Sequence, residues 1–282
     1  MQLKGKSSTI TYNWSEAILN LQFSVLASGS TGNCVFIESG ENQYLIDAGL
    51  SGKQIEKKLD FIGKKLEDIS GIFVTHEHID HVKGLGVLVR KYGMSLYMNE
   101  ATFRAMPSTV GEIPADCLNF IVCEKDYCFG DLNIFPFHVS HDAAEPFGYV
   151  FAKGEKKFTY LTDTGYVSQR TKEIVQGSTA YIFESNHDIR LLQMGRYPWH
   201  VKQRILGDSG HLSNEDSAVA LSEIVSEKTE HIYLAHLSKE HNMKELALSI
   251  CNEILFSRRQ TLKDQIKLHM TDPDEPTEIL KI

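Results

Sequence analysis

No stretch of the chain approaches the roughly 20 consecutive apolar residues that a bilayer-spanning helix needs. The first residues also lack the basic-then-apolar pattern of a secretion signal. A cytoplasmic protein with no membrane partner is therefore expected. Cysteine is scarce: Cys34, Cys117, Cys123, Cys128 and Cys251 are odd in number, and no two are spaced as CxxC. Disulfide frameworks and thiolate zinc knots both need paired cysteines, so buried or free thiols in a reducing compartment are expected. Proline numbers only 7, and no Pro/Gly-rich linker, internal repeat or low-complexity run divides the chain. Cations are in deficit as well, with a formal net charge of −8. Phosphate contacts come from Lys and Arg, so a broadly basic nucleic-acid surface is excluded. Any binding of nucleic acid has to be local, where bound divalent cations cancel carboxylates.

What remains is an ordinary globular composition. At 282 residues and 42% hydrophobic content, the chain suffices for one large domain or two small ones. Residues 1–20 are mostly polar and read as a loosely held extension, leaving 21–282 as a single domain. Apolar, β-rich segments stand at Leu21–Leu26, Cys34–Ile37, Tyr44–Ile46 and Gly71–Val74. Others follow at Asn119–Val122, Leu132–His138, Gly148–Ala152, Phe158–Leu161, Ala180–Phe183, Glu230–Leu234 and Gln265–His269, before a polar tail. Helical spacing marks Ser51–Ile62, Val82–Tyr92, part of Asp188–Leu206, Ser213–Ser226 and Asn242–Phe256. Ser213 with Asp216 three residues on resembles a capping box. Strands followed by helices in each half predict an α/β fold with mixed sheets and outer helices.

The segment Thr75-His76-Glu77-His78-Ile79-Asp80-His81 carries the chemistry. Four potential metal ligands fall within six residues, directly after an apolar strand. Imidazole and carboxylate donors suit zinc, manganese or iron. A tight loop can split the run, with His76 and His78 pointing to one ion and Asp80 and His81 to its neighbour. It is not the HExxH helix motif, because the residue four after His76 is Asp80.

This segment resembles the HxHxDH signature of the metallo-β-lactamase superfamily. That resemblance implies a four-layer αβ/βα sandwich with its metals at the edge of two sheets. It further implies that Asp47, closing an early strand before Ala48-Gly49, braces the metal loop by hydrogen bonds. Of His138 and His141, it favours His141 as a ligand and leaves His138 to packing. Asp163, in Leu161-Thr162-Asp163-Thr164-Gly165, matches the carboxylate that bridges both ions, and His236 matches the last histidine. The implied centre is His76, His78, His141 and Asp163 for one ion, and Asp80, His81, Asp163 and His236 for the other. Two divalent ions, zinc or manganese, would share a hydroxide as nucleophile, with no organic cofactor.

The fold alone does not choose among lactam, thioester, lactone and phosphodiester hydrolysis. Asp80 beside His81, with Asp163 and His236, resembles the phosphodiesterase and glyoxalase pattern rather than true β-lactamases. Further segments closely resemble the bacterial YycJ (WalJ) family over about residues 21–270. They are Ala27–Cys34, His141–Pro146, Glu184–Asp188, Gly210–Asn214 and His236–Asn242. The implied activity is that of a cytoplasmic nuclease resembling 5′-to-3′ DNA exonucleases.

These extra motifs make physical sense. The small-residue turn bearing Ser28, Ser30 and Asn33 either meets a phosphate through its amides or is a plain tight turn. His211, just before a helix N-terminus, suits protonation of a leaving oxygen or an anion contact, with Glu184 orienting it. His187 is a further candidate beside the metals. Catalytic residues are thus expected to be Asp80, His211 and Glu184. Between them, Arg190–Arg204 interleaves Arg196, Lys202 and Arg204 with Tyr197 and Trp199. It either grips phosphates and stacks on a base or is an amphipathic helix with Trp199 inward and its cations in water. DNA is the expected partner and RNA the alternative. A glyoxalase II-like thioesterase or a lactonase would keep the same metals but leave the segments around His211 and Trp199 unexplained.

Overall fold

The computed structural model describes residues 21–282; the extension expected over residues 1–20 lies outside them. The first half of the chain lays down one sheet. Strands β1 (Leu21–Ala27), β2 (Cys34–Ser39) and β3 (Asn42–Ile46) are antiparallel neighbours. Helix α1 (Gly52–Phe61) then leads to β4 (Gly71–Phe73). Helices α2 (Ile79–Val82) and α3 (Leu85–Tyr92) lead to β5 (Ser95–Met98), and α4 (Glu100–Ala105) leads to β6 (Leu118–Phe120). From β3 to β6 the pairing is parallel.

The second half repeats that plan. Strands β7 (Tyr127–Phe129), β8 (Leu132–His138), β9 (Phe147–Lys153) and β10 (Lys156–Leu161) pair antiparallel in succession. Helix α5 (Gln169–Val175) crosses to β11 (Ala180–Glu184). Helices α6 (Ile189–Met194), α7 (Trp199–Leu206) and α8 (Asn214–Ile224) lead to β12 (His231–Ala235), and α9 (Lys244–Arg258) leads to β13 (Lys267–Met270). These strands are parallel from β10 to β13. Last, β14 (Leu280–Lys281) returns to the first sheet beside β1. The two seven-stranded orders are β14-β1-β2-β3-β4-β5-β6 and β13-β12-β11-β10-β9-β8-β7.

Strands covered on both faces read as continuous apolar runs, and successive side chains go to opposite faces. In Cys34-Val35-Phe36-Ile37, Cys34 and Phe36 join the core under α1 and α3, while Val35 and Ile37 join the core between the sheets. In Ala180-Tyr181-Ile182-Phe183, Ala180 and Ile182 face the other sheet, while Tyr181 and Phe183 pack under α8 and α9. The result is helix, sheet, sheet, helix: the four-layer αβ/βα sandwich.

The differences from the sequence expectations have local causes. The predicted helix Val82–Tyr92 is broken at Gly84, where the chain lies so close to the 48–50 turn that a Cβ would stand 2.2 Å from the Leu50 carbonyl. The polar tail holds a strand that is not among those expected from the sequence, and it is tied to β1: the Thr277 amide donates to the Val25 carbonyl at 3.0 Å and the Ile282 amide to that of Leu21 at 2.9 Å. Ser213 does cap α8, accepting from the Asp216 amide at 3.0 Å. The reciprocal half differs, because its hydroxyl donates to the Asp216 carboxylate at 2.6 Å; aspartate is one methylene shorter than the glutamate of a full box. Among the described residues all five cysteines are free, and no helix is long and apolar enough to cross a membrane.

Two contacts pin the sheets together next to the histidine segment. The Tyr149 hydroxyl donates to the Val74 carbonyl at 2.6 Å, and the Phe147 amide donates to the Thr75 carbonyl at 3.0 Å. Beneath them, the Phe73 ring lies 4.7 Å from Tyr97 and within 5.8 Å of Phe129, Tyr149 and Phe151. Removing a fully buried phenyl ring costs about 3–5 kcal/mol. Phe73→Ala is therefore expected to lower unfolding stability by that amount, as read from the urea midpoint.

Candidate metal centre

The C-terminal ends of six strands meet at one edge of the sandwich, the place where open α/β sheets hold ligands. Asp47 follows β3, residues 75–81 follow β4 and His141 follows β8. Asp163 follows β10, Glu184 ends β11 and His236 follows β12. Asp47 (φ 60°), Asp163 (φ 57°) and His236 (φ 57°) are all left-handed. Such a residue costs about 1–3 kcal/mol and persists only where its surroundings over-determine it. Here the conformation turns the chain sharply at three strand ends.

The 75–81 segment is clamped from behind. Asp47, fully buried, accepts from the Thr75 amide at 2.8 Å, from the Thr75 hydroxyl at 2.9 Å and from His81 Nδ1 at 2.8 Å. The Asn33 amide donates to the Asp80 carbonyl at 2.8 Å and the Ala48 amide to that of His81 at 2.8 Å. Gly49 has to be glycine here, since a Cβ would lie 1.7 Å from the Asp80 carbonyl oxygen. Glu77 accepts from the Ala144 amide at 2.8 Å, which ties the segment to the His141 loop.

The donor atoms then converge. His76, His78 and His141 bring ligand atoms within 4.8 Å of one another, and so do Asp80, His81 and His236. Asp163 joins both sides, grouping with His76 and His81 and also with Glu184, His211 and His236. His78 Nδ1 and His141 Nε2 are 3.3 Å apart. Asp163 stands 3.4 Å from His81 Nε2 and 3.9 Å from His141 Nε2. His236 Nε2 is 3.9 Å from Asp80. Donors about 2.0–2.2 Å from one tetrahedral ion lie on the order of 3.3–3.6 Å apart.

The far nitrogens are already engaged, as on metal-binding histidines generally. Nδ1 of His81 donates to Asp47, Nδ1 of His141 to the Gly210 carbonyl at 3.3 Å, and Nδ1 of His236 to Glu184 at 3.0 Å. Three other atoms of the cluster are left over. His76 Nε2, His236 Nε2 and Asp163 Oδ2 are buried with no hydrogen-bond partner. Buried polar atoms without partners are costly, and all three belong to residues of the converging donor groups. The residues fit a divalent metal centre.

The electrostatics agree. Burial alone would depress His81, but the Asp163, Asp47 and Asp80 carboxylates overcome it and raise its pKa to about 9. Burial would raise Asp80, yet His81 and His236 hold it well below the usual carboxylate range. Burial and the neighbouring imidazoles push His76 well down. A proton held on His81 stands where a cation is wanted, and a metal bound there would release it.

Glu184, fully buried, has more partners than its sequence context indicated. Its Oε1 accepts from His211 Nδ1 at 2.7 Å and from His236 Nδ1, and its Oε2 accepts from the Thr164 amide at 2.8 Å. Burial would lower His211, but Glu184 outweighs it and the net shift is upward.

The remaining expected residues divide. Asn33 reaches the cluster, with Nδ2 3.0 Å from His81 Nε2. Ser28 does not face a ligand: its hydroxyl accepts from the His236 amide at 2.8 Å. Ser30 and Arg204 line a cleft beside His211 and His236, and the Arg204 guanidinium is ion-paired with Asp142. Arg196 is exposed. His187 is buried, burial drives its pKa down to about 4, and both ring nitrogens lack partners. His138 lies on the surface, 4.0 Å from Glu145. Lys202 is corrected: it is buried, and its ammonium donates to the Gln193 and Gly195 carbonyls at 2.7 Å, closing the turn between α6 and α7. Trp199, conversely, is 64% exposed, so the inward-Trp helix with wet cations is not what forms. Thr75, Glu77, Asp142 and the second contact of Glu184 had no sequence signal beyond adjacency to the motifs.

A family profile described as a beta-lactamase superfamily domain matches residues 42–236. The chain is 49% identical over 262 residues to exodeoxyribonuclease YycJ of Bacillus anthracis, covering 93% of this chain and 99% of that one. It is 45% identical over 267 residues to exodeoxyribonuclease WalJ of Streptococcus pneumoniae, covering 94% and 99%. Among solved structures, the metallo-β-lactamase fold protein YhfI of Bacillus subtilis superposes with a TM-score of 0.70 at 12% identity, covering 93% of this chain and 100% of that one.

Replacing Asp47 tests the clamp without disturbing its backbone, because asparagine tolerates the left-handed conformation. Loss of a hydrogen-bonding partner behind a ligand typically weakens metal affinity by about 10–100-fold. Asp47→Asn is expected to lower zinc affinity by that factor in a chelator competition.

Proposed function

The chain belongs to the metallo-β-lactamase superfamily and, within it, to the YycJ/WalJ family, and we propose that it is a metal-dependent phosphodiesterase degrading DNA from a 5′ end. The observation that carries this reading is the pair of donor sets meeting at one carboxylate, Asp163. His76, His78, His141 and Asp163 would hold one divalent ion, and Asp80, His81, Asp163 and His236 a second, zinc or manganese. When bound, such a pair offsets the charge of a phosphodiester and lowers the pKa of water enough for attack near neutral pH.

The chain's own groups supply the rest. Glu184 holds His211 through Nδ1, which leaves Nε2 to give a proton to the departing oxygen; burial opposes the charged ring, and the Glu184 carboxylate sustains it. The same carboxylate orients His236, so the acid and a ligand are set by one buried anion. Asn33, beside Asp80 and His81, is placed to donate to a non-bridging phosphate oxygen. Arg196 offers an exposed cation on a stretch, residues 189–207, that has no acidic residue in a chain of net charge −8. The names of the curated relatives direct the substrate to DNA. Free cysteines support a cytoplasmic setting.

The reading is tested with end-labelled DNA and RNA, single- and double-stranded, on chelated protein before and after Mn²⁺ or Zn²⁺ is restored. Metal-dependent mononucleotide release from the 5′ end of DNA is expected; cleavage of RNA alone, or of neither polymer, overturns it. Loss of a general acid typically costs about 10²–10⁴-fold. His211→Ala is expected to slow single-turnover cleavage by that factor with metal content retained. Asp163→Ala is expected to lose both the metal and the activity, and a retained full complement of metal would remove the bridging role.

A further inference from the structure

Beside His211 and His236 a cleft opens that the chemistry above does not use. One wall is a face of α7, with Val201, Arg204 and Ile205 spaced i, i+3 and i+4. Tyr197, just ahead of the helix, continues it. The other wall comes from three loops, through Ser30, Asn186 and the Leu237–Ser238 pair.

The chemistry of these walls is selective. Tyr197, Val201, Ile205 and Leu237 present apolar and aromatic surface. Ser30 and Ser238 present hydroxyls. Asn186 already donates through Nδ2 to the His236 carbonyl at 2.8 Å, so its amide oxygen is the group it can offer. The Arg204 guanidinium is ion-paired with Asp142 and adds no net charge. A second phosphate would find no unpaired cation here. A flat, uncharged group that is apolar on its faces and hydrogen-bonding at its edge would be matched on both counts.

The aromatic wall is also held in place. Tyr197 packs edge-on against His241, with ring centroids 4.4 Å apart. Gly195 lies so close that a Cβ would stand 2.2 Å from His241 Nε2. The Asp188 amide donates to the His241 carbonyl at 2.9 Å, anchoring the start of α6 to the loop that carries His236. Little ordering is left for a ligand to impose.

We propose that this cleft receives a nucleoside, the one adjoining the phosphodiester at the metal centre. Tyr197, Val201 and Ile205 lie along its base, and Ser30, Asn186 and Ser238 meet its polar edge. The inference rests on the phosphodiesterase reading and adds a recognition element to it. A nucleotide seated there is positioned by contacts remote from the reacting phosphorus, and such contacts raise kcat/KM.

The test compares esters that share one leaving group. Methyl p-nitrophenyl phosphate, which has no second ring, reads the metal centre alone, while the p-nitrophenyl phosphates of thymidine, attached through 3′ or 5′ oxygen, add the nucleoside. Wild-type protein is expected to favour one thymidine ester in kcat/KM by roughly tenfold or more, and free thymidine is expected to inhibit competitively. Val201→Trp, which fills the cleft, is expected to bring the ratio towards one and to weaken the inhibition. Ile205→Trp, one turn along the same face, provides an independent fill should the first variant fold poorly. The ratio is taken within one preparation, so metal loading cancels. No preference in the wild type, or a preference unchanged in both filled variants, overturns the cleft assignment while leaving the phosphodiesterase reading intact. Hydrolysis of none of the esters overturns the phosphodiesterase reading and this inference with it.

Discussion

Carboxylates and imidazoles are buried together where the two sheets meet, and that burial is the constraint on which the rest of the molecule depends. Asp47, Asp163 and Glu184 are all shielded from water. Anions in a low-dielectric interior are stable only when paired or bound to metal. Asp47 and Glu184 are satisfied by imidazole and amide donors. Asp163 is not: one of its oxygens has no partner, and His76 and His236, which share donor groups with it, each hold a buried nitrogen in the same condition. Protons satisfy such a cluster only in part: the carboxylates favour them on His81 and His236, but burial and then the neighbouring imidazoles disfavour one on His76. Divalent cations satisfy all of it at once.

The scaffold bears the cost of that arrangement at a few positions. Three left-handed strand ends, and a loop contact that admits only glycine at position 49, are what bring the donors within reach. Asp47 works from the first sheet and Glu184 from the second, so each sheet contributes one buried anion that fixes the imidazoles on its own side. The contacts of Tyr149 and Phe147 then hold the two sides in register. Glu184 reaches both His211 and His236, so the proposed acid and a proposed metal ligand are oriented by one carboxylate.

Much of this architecture was legible in the sequence. Strands such as β2 are covered on both faces, and the apolar run Cys34–Ile37 announces it. The histidine segment stands out because it follows such a run with no polar transition. Asp163 and His236 were matched through the resemblance to the metallo-β-lactamase pattern, each standing directly after an apolar strand. The strands missed are short: β5 has 4 residues and β7 has 3, the latter although its partner β8 follows across a tight turn, and β14 is recognisable only beside β1. The Lys202 and Trp199 inversion was not legible either. Periodicity places residues on a helix face, but the buried face of α7 is chosen by the carbonyls that Lys202 closes and by the cleft wall, not by hydrophobicity. The second role of Glu184 depends on two strands ending side by side, which spacing does not encode.

The acidic net charge also finds its place. Along the chain it is uneven: residues 189–207 carry no acidic residue, and Arg196 stands exposed among them. The central claim is that this cluster is built for a pair of cations sharing Asp163. It is tested most directly by anomalous diffraction at the zinc and manganese edges from crystals grown with those ions. The account predicts two peaks per chain, one flanked by His76, His78 and His141, the other by Asp80, His81 and His236, with Asp163 between them. A single peak, or peaks away from Asp163, would contradict it.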